Sequence, residues 1–159
     1  GHEITVWKGD DQTTGRGFYD ATALEALSAT TTPGHPNFIL TNASPYDWLV
    51  TAAPDRWATA NQGPCPAGYH VPTDAEWDTA DTFGVWNDNT DTFNSALKLP
   101  SAGYRTRING LLDAQGTNGN YWSSAVSGTL ARYLNFHSAA ANAYGNDRAY
   151  GFSVRCLRD

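Results

Sequence analysis

The chain has 159 residues, within the size of one domain, and with 40% apolar residues, six Trp, eight Tyr and six Phe it cannot be a disordered chain. Its formal charge of −6 divides into −9 through Pro100 (4 basic, 13 acidic residues) and +3 from Ser101 (6 basic, 3 acidic). The basic residues are scattered arginines, among them Arg105, Arg107, Arg155 and Arg158, so no phosphate-tracking stripe forms and nucleic acid is excluded as a partner; no run approaches the roughly 20 apolar residues of a membrane span.

In chain order, Glu3-Ile-Thr-Val-Trp-Lys8 alternates and is rich in β-branched and aromatic residues, which predicts an opening strand. Ala21, Leu24 and Leu27 recur at helical spacing behind Asp20, predicting a short helix to Ser28. Breakers then crowd residues 29 to 47, a long irregular excursion. Thr73-Asp-Ala-Glu76 spells a capping box, so a helix should start there with Trp77 inward and run to about Thr82. The polar run Asn87-Asp-Asn-Thr-Asp91 reads as a loop, followed by a second helical turn at Thr92 to Leu97. From Leu99 the text breaks into short glycine-punctuated segments. In Ala131-Arg-Tyr-Leu-Asn-Phe136 and Gly151-Phe-Ser-Val-Arg-Cys156 the apolar residues alternate with polar ones as in half-buried strands. Helices first and strands afterwards make an α+β pattern.

Candidate chemistry is sparse. Two cysteines, Cys65 and Cys156, leave room for one disulfide or two free thiols, and exclude an all-cysteine zinc site. The histidines assemble no nucleophilic triad: His70 lies just ahead of the capped helix, where it reads as a packing residue, and Ser123-Ser124 lack a nucleophile-elbow pattern. Glu76 is accounted for by its cap. Asp88, Asn89 and Asp91 offer oxygen ligands of the kind calcium takes, but they also suit a solvated loop, so no metal or cofactor is assigned. The start at Gly1-His2, with no Met in the chain, reads as a processing scar.

Four motifs carry a resemblance: Pro64-Cys-Pro-Ala-Gly-Tyr-His-Val-Pro-Thr-Asp-Ala-Glu-Trp77, Leu99-Pro-Ser-Ala-Gly-Tyr-Arg105, Gly119-Asn-Tyr-Trp-Ser-Ser124 and Gly151-Phe-Ser-Val-Arg-Cys156. In this order they resemble the Fibrobacter succinogenes major paralogous domain, from about Trp57 to Asp159. That family is grouped with C-type lectin folds of the formylglycine-generating-enzyme type. The resemblance therefore implies short helices packed on a small, mainly antiparallel twisted sheet, in a single domain over residues 1–159. Its framework would comprise Trp57 to Tyr104, Trp122 and the Phe152–Cys156 strand. It also implies a Cys65–Cys156 disulfide, because such domains are usually displayed outside cells. In the chain-entropy picture a loop of this length contributes about 4 kcal/mol.

The same fold serves the variable proteins of diversity-generating retroelements, whose C-terminal segment is mutagenised at template adenines, and residues 117–150 resemble such a segment. An AAC asparagine codon altered at its two adenines yields Tyr, His, Asp, Ser, Thr, Ala or Gly and never a stop. Residues 117–150 are written largely in this alphabet. Tyr offers rigid contact area while Asn, Ser and Gly offer adaptable hydrogen bonds, the mixture used by antibodies. The expected contact residues are Asn118, Tyr133, Asn135, His137, Ser138, Asn142, Tyr144, Asn146, Asp147 and Tyr150, with Leu134 and Phe136 turned to the core. Truncating Tyr133, Tyr144 and Tyr150 should then abolish binding with little change in melting temperature.

The function so implied is a non-enzymatic receptor for a protein or glycan on another cell or virus, displayed on a cell or virion surface. A fixed-sequence cell-surface or carbohydrate-binding domain of the same family is the alternative. The formylglycine-generating relatives are oxidases whose site resembles a cuprous thiolate centre with two nearby cysteines. Here Cys156 matches one, but the position five earlier is Gly151, so the paired soft ligands are not offered.

Overall fold

Thr73 opens the first helix as its capping box requires: the Glu76 backbone N–H donates to Thr73 Oγ1 at 3.3 Å, and the Thr73 N–H donates to Glu76 Oε2 at 2.8 Å. The computed structural model describes residues 38–51, Trp57 and residues 64–159. The expected strand at 3–8 and helix at 20–28 lie outside the described residues, as does the start of the 29–47 excursion. Its described part, with the residues to 51, runs as turns and single bridges at Ile39 and Leu49. That segment is tied down by the Thr41 N–H donating to Arg107 O and the Ala149 N–H donating to Tyr46 O, both at 3.0 Å.

The described elements are β1 (Tyr69–His70), α1 (Asp74–Gly84), α2 (Asn89–Asn94), β2 (Tyr104–Arg105), β3 (Leu112–Asp113), β4 (Gly119–Ser127), β5 (Leu130–His137), β6 (Ala140–Asn146) and β7 (Leu157–Arg158). β4, β5 and β6 form an antiparallel three-stranded sheet, while β1 pairs with β7 and β2 with β3 as antiparallel two-stranded ribbons. Both helices pack on the three-stranded sheet, so the architecture is α+β with short helices and small antiparallel sheets.

Three details depart from the expectations. α1 continues through Gly84, and the left-handed residue that ends it is Val85 (φ 50°). Gly84 is required for a different reason: a Cβ there would sit 2.1 Å from Trp86 Nε1. The second helix starts at Asn89 and stops at Asn94, because Asp88 Oδ1 caps it by accepting the N–H groups of Thr90 (2.7 Å) and Asp91 (3.0 Å). The polar run read as a loop is therefore a cap and first turn. Finally, Gly151–Cys156 is not a strand. It makes single bridges, Gly151 with Arg105 and Ser153 with Tyr121, and the ladder forms only beyond it, where Leu157 pairs with His70. The disulfide from Cys156 to Cys65 (Cα–Cα 5.7 Å) draws this stretch toward the segment before β1.

The core is built from Trp77, Trp86, Leu99, Tyr121, Leu134, Phe136 and Ala141. Trp57, expected in the framework, lies outside that cluster. Phe136 is fully buried beneath its cross-strand partner Gly119, where a Cβ would be 1.9 Å from the ring. Tyr121 stacks on Phe136 with ring centroids 5.8 Å apart and donates its hydroxyl to Pro100 O at 2.9 Å. Burial pushes that phenol up to about 12.

Candidate functional site

Alternation along β5 decides what the sheet offers to solvent. Leu134 and Phe136 are buried against the helices, so Ala131, Tyr133, Asn135 and His137 lie on the other face. The register carries this parity across the strands. Asn120, Asn135 and Asn142 stand in one cross-strand row, Trp122, Tyr133 and Tyr144 in the next, and Ala131 faces Asn146 in a third. Asn118 precedes β4 by one residue and shares the parity of Asn120 and Trp122.

The two rows differ in how far they are already occupied. Asn135 Nδ2 donates to Asn120 Oδ1 at 2.9 Å and to Gly119 O at 3.3 Å, so its amide is held within the sheet. Asn142 at the row's end is exposed. In the aromatic row, Trp122 is buried and stacks on Phe152 at 4.2 Å. Tyr133 is half-buried beside Trp122 (6.0 Å), Phe152 (4.7 Å) and Tyr144 (6.2 Å). Burial raises the Tyr133 pKa, partly offset by a hydrogen bond with the Asn146 side chain. Tyr144, at the open edge, keeps 45% of its surface exposed.

The remaining expected contacts frame this face. Ser138 is exposed in the β5–β6 turn, and His137 Nδ1 accepts the Ala139 N–H at 3.3 Å. Asp147 is committed elsewhere: Arg107 Nε donates to its Oδ2 at 2.9 Å, and the same guanidinium lies 3.9 Å above the Tyr46 ring. Tyr150 packs edge-on against Tyr104 at 5.7 Å and beside Phe152 at 5.6 Å. The structure therefore brings Tyr133, Asn135, His137, Asn142, Tyr144 and Asn146 onto one face and leaves Asp147 and Tyr150 as its braces. Asn120 belongs to the polar row although the sequence did not single it out. Its signal is the strand parity it shares with Asn118, visible only once the register with Asn135 is known.

The polar groups elsewhere are spent on structure. Asp88 caps α2, Asp91 Oδ2 accepts the Asn87 N–H at 2.9 Å, and Asn89 Nδ2 donates to Thr117 O at 3.4 Å. Ser123 is buried and its Oγ accepts the Ala125 N–H. His70, instead of packing, lies between two carboxylates: Nδ1 is 2.7 Å from Asp159 Oδ1 and Nε2 is 2.9 Å from Glu76 Oε1. Among the described residues, no three His, Cys, Asp or Glu side chains converge to hold a metal ion, and no helix is long and apolar enough to cross a membrane.

No family model, curated protein or solved structure matches the chain.

Proposed function

We propose that this protein is a non-enzymatic receptor with a C-type lectin fold of the formylglycine-generating-enzyme type, whose segment 117–150 is diversified by a retroelement. Its ligand, a protein or glycan on another cell or virus, docks on the face of β4, β5 and β6 turned away from the helices. The observation that carries this reading is the register. Tyr133, Asn135, His137, Asn142, Tyr144 and Asn146, all written in the adenine-derived alphabet, share one parity across β5 and β6, whereas the apolar Leu134 and Phe136 take the other, together with Tyr121, Ala141 and Ala143 of the same alphabet. An exposed Tyr beside Asn, His and Ser suits adaptable recognition, and a sheet holds such residues more rigidly than a loop would. Display outside the cell belongs to the same proposal.

The test is to sequence the locus in several isolates. Substitutions confined to adenine-derived codons within 117–150, with a near-copy of that stretch beside a reverse transcriptase, support the proposal. Changes spread evenly along the gene refute diversification and leave a fixed-sequence cell-surface or carbohydrate-binding domain.

A further inference from the structure

The three-stranded sheet has two edges, and only one is covered. Along β4 the outward backbone is taken: the Trp122 N–H donates to Ser153 O at 2.9 Å, the Ser153 N–H to Asn120 O at 2.9 Å and the Ser124 N–H to Pro72 O at 2.8 Å. β6 is the other edge. Its turn from β5 is closed by the pair His137 and Ala140, so Ala140, Asn142, Tyr144 and Asn146 turn their backbone groups to β5. The N–H and C=O of Ala141, Ala143 and Gly145 then point outward, and among the described residues nothing bonds to them. Edges are usually blunted by charge, proline or a bulge. Residues 140–146 have no charge and no proline, and their register with β5 runs without a break.

The uncommitted side chains of the recognition face lie on the same strand. Asn142 and Tyr144 are exposed, whereas Asn135 is bonded to Asn120 and Trp122 is stacked on Phe152. A ligand that reaches Asn142 and Tyr144 therefore reaches the open backbone as well. Donors and acceptors repeating along a strand are matched by another extended backbone, and a sugar ring has no such repeat. Charge then selects the occupant. The chain carries −6 and β6 has no cation, so a second copy of the chain would bring like charges together. Asp74 is bonded to Arg132, the cross-strand partner of Gly145, and Asp78 and Asp81 continue that flank of α1 at helical spacing. Neither makes an ion pair among the described residues, and α1 packs against β6. We propose that β6 receives an extended segment of a partner protein as a fourth strand, with basic side chains toward α1 and the alternate ones beside Asn142 and Tyr144. The inference rests on the receptor reading and makes the ligand a protein rather than a glycan.

The experiment selects binders of the full chain from a library of random linear dodecapeptides, with a glycan array run in parallel. Enriched peptides should carry Lys or Arg at alternate positions. In an added strand only every second N–H faces β6, so methylating one alternate set of peptide nitrogens should weaken binding roughly tenfold while methylating the other set changes little. Hydrogen exchange of the Ala141, Ala143 and Gly145 amides should slow when peptide is bound. Ala143→Pro removes an outward N–H that β5 does not use, and should abolish binding with the fold retained. No enriched peptide, equal loss from both methylated sets, unchanged exchange or undiminished binding to Ala143→Pro overturns the proposal. A dimer in sedimentation that Ala143→Pro dissolves gives the edge to a second copy and overturns it too. Glycan binding lost in Tyr144→Ala but kept in Ala143→Pro overturns this inference and leaves the receptor reading standing. Evenly spread changes along the gene with the methylation pattern intact fail only the diversification. Methylation and exchange decide alone if Ala143→Pro does not fold.

Discussion

The Tyr133 ring lies 4.7 Å from Phe152, centroid to centroid, so a residue of the proposed recognition face is also a packing partner of the C-terminal segment. Trp122, itself stacked on Phe152, packs beside Tyr133 as well, so Tyr133 ties the sheet to the stretch that carries Cys156. This alters the expectation that Tyr133, Tyr144 and Tyr150 can all be truncated without loss of stability. Tyr133→Ala should cost about 2 kcal/mol, below the full aromatic-to-Ala range because the ring is only half-buried. Tyr144→Ala at the open edge should stay within about 0.5 kcal/mol. Thermal denaturation of the two variants checks this directly: equal losses would mean that Tyr144 is as much a packing residue as Tyr133.

A second consequence concerns Gly119. It pairs with Phe136, the most buried ring of the core, and a Cβ would come within 1.9 Å of that ring's tip. The ring cannot retreat, since Tyr121 stacks on it. Gly119→Ala should therefore lose about 3 kcal/mol or fail to fold. Gly116→Ala is the control: its φ of +76° is strained for an L residue but its Cβ would meet nothing, so the loss should be nearer 1 kcal/mol. Denaturant midpoints of the two variants give the ranking, and the reverse order would mean that the core repacks around a methyl group.

The Asp47–Arg148 pair is almost fully buried and joins residues 101 positions apart. Removing Arg148 takes a buried cation away from the buried Asp47 carboxylate, so Arg148→Met should destabilise by about 3 kcal/mol. In Asp47→Leu combined with Arg148→Met neither charge remains, and much of that loss should be recovered. A double-mutant cycle by urea denaturation measures the coupling. Additive losses would show that the two side chains act independently.

What the sequence revealed and what it concealed follow from how local each signal is. The capping box at Thr73 and Glu76 needs only four consecutive residues, and the inward turn of Leu134 and Phe136 needs only period-two alternation; both are present in the structure. β6 is different. Ala140-Ala-Asn-Ala-Tyr-Gly-Asn146 has little strand propensity, and it is extended because seven residues of β5 pair with it. Propensity yields there to pairing that no local window contains. Asp88 was hidden for a related reason, since an Asp in a polar run suits a loop as well as a cap. The division of the recognition face into free and committed residues was equally out of reach: the partner of Asp147 is Arg107, and that of Asn135 is Asn120.

The pH dependence of folding should expose the tie made by His70. Its hydrogen bonds to Asp159 and then to Glu76 raise its pKa above 6.5. Burial alone would raise the Glu76 carboxyl, but the Thr73 backbone and the His70 and Thr73 side chains outweigh it, and the pKa falls below 4.5. The signs then oppose one another. The imidazolium contributes fully below pH 6.5 and its contribution is lost as pH rises through the raised folded value. The carboxylate contributes above pH 4.5 and loses its contribution as pH falls through the lowered one. The tie is strongest between these limits, because only the imidazolium can donate to both carboxylates at once. The difference in melting temperature between the native chain and His70→Gln should therefore be largest between about pH 5 and 6 and shrink toward pH 8. All three side chains are partly exposed, so added salt should reduce the difference further. A difference that is the same at every pH would mean that His70 supports α1 by packing alone.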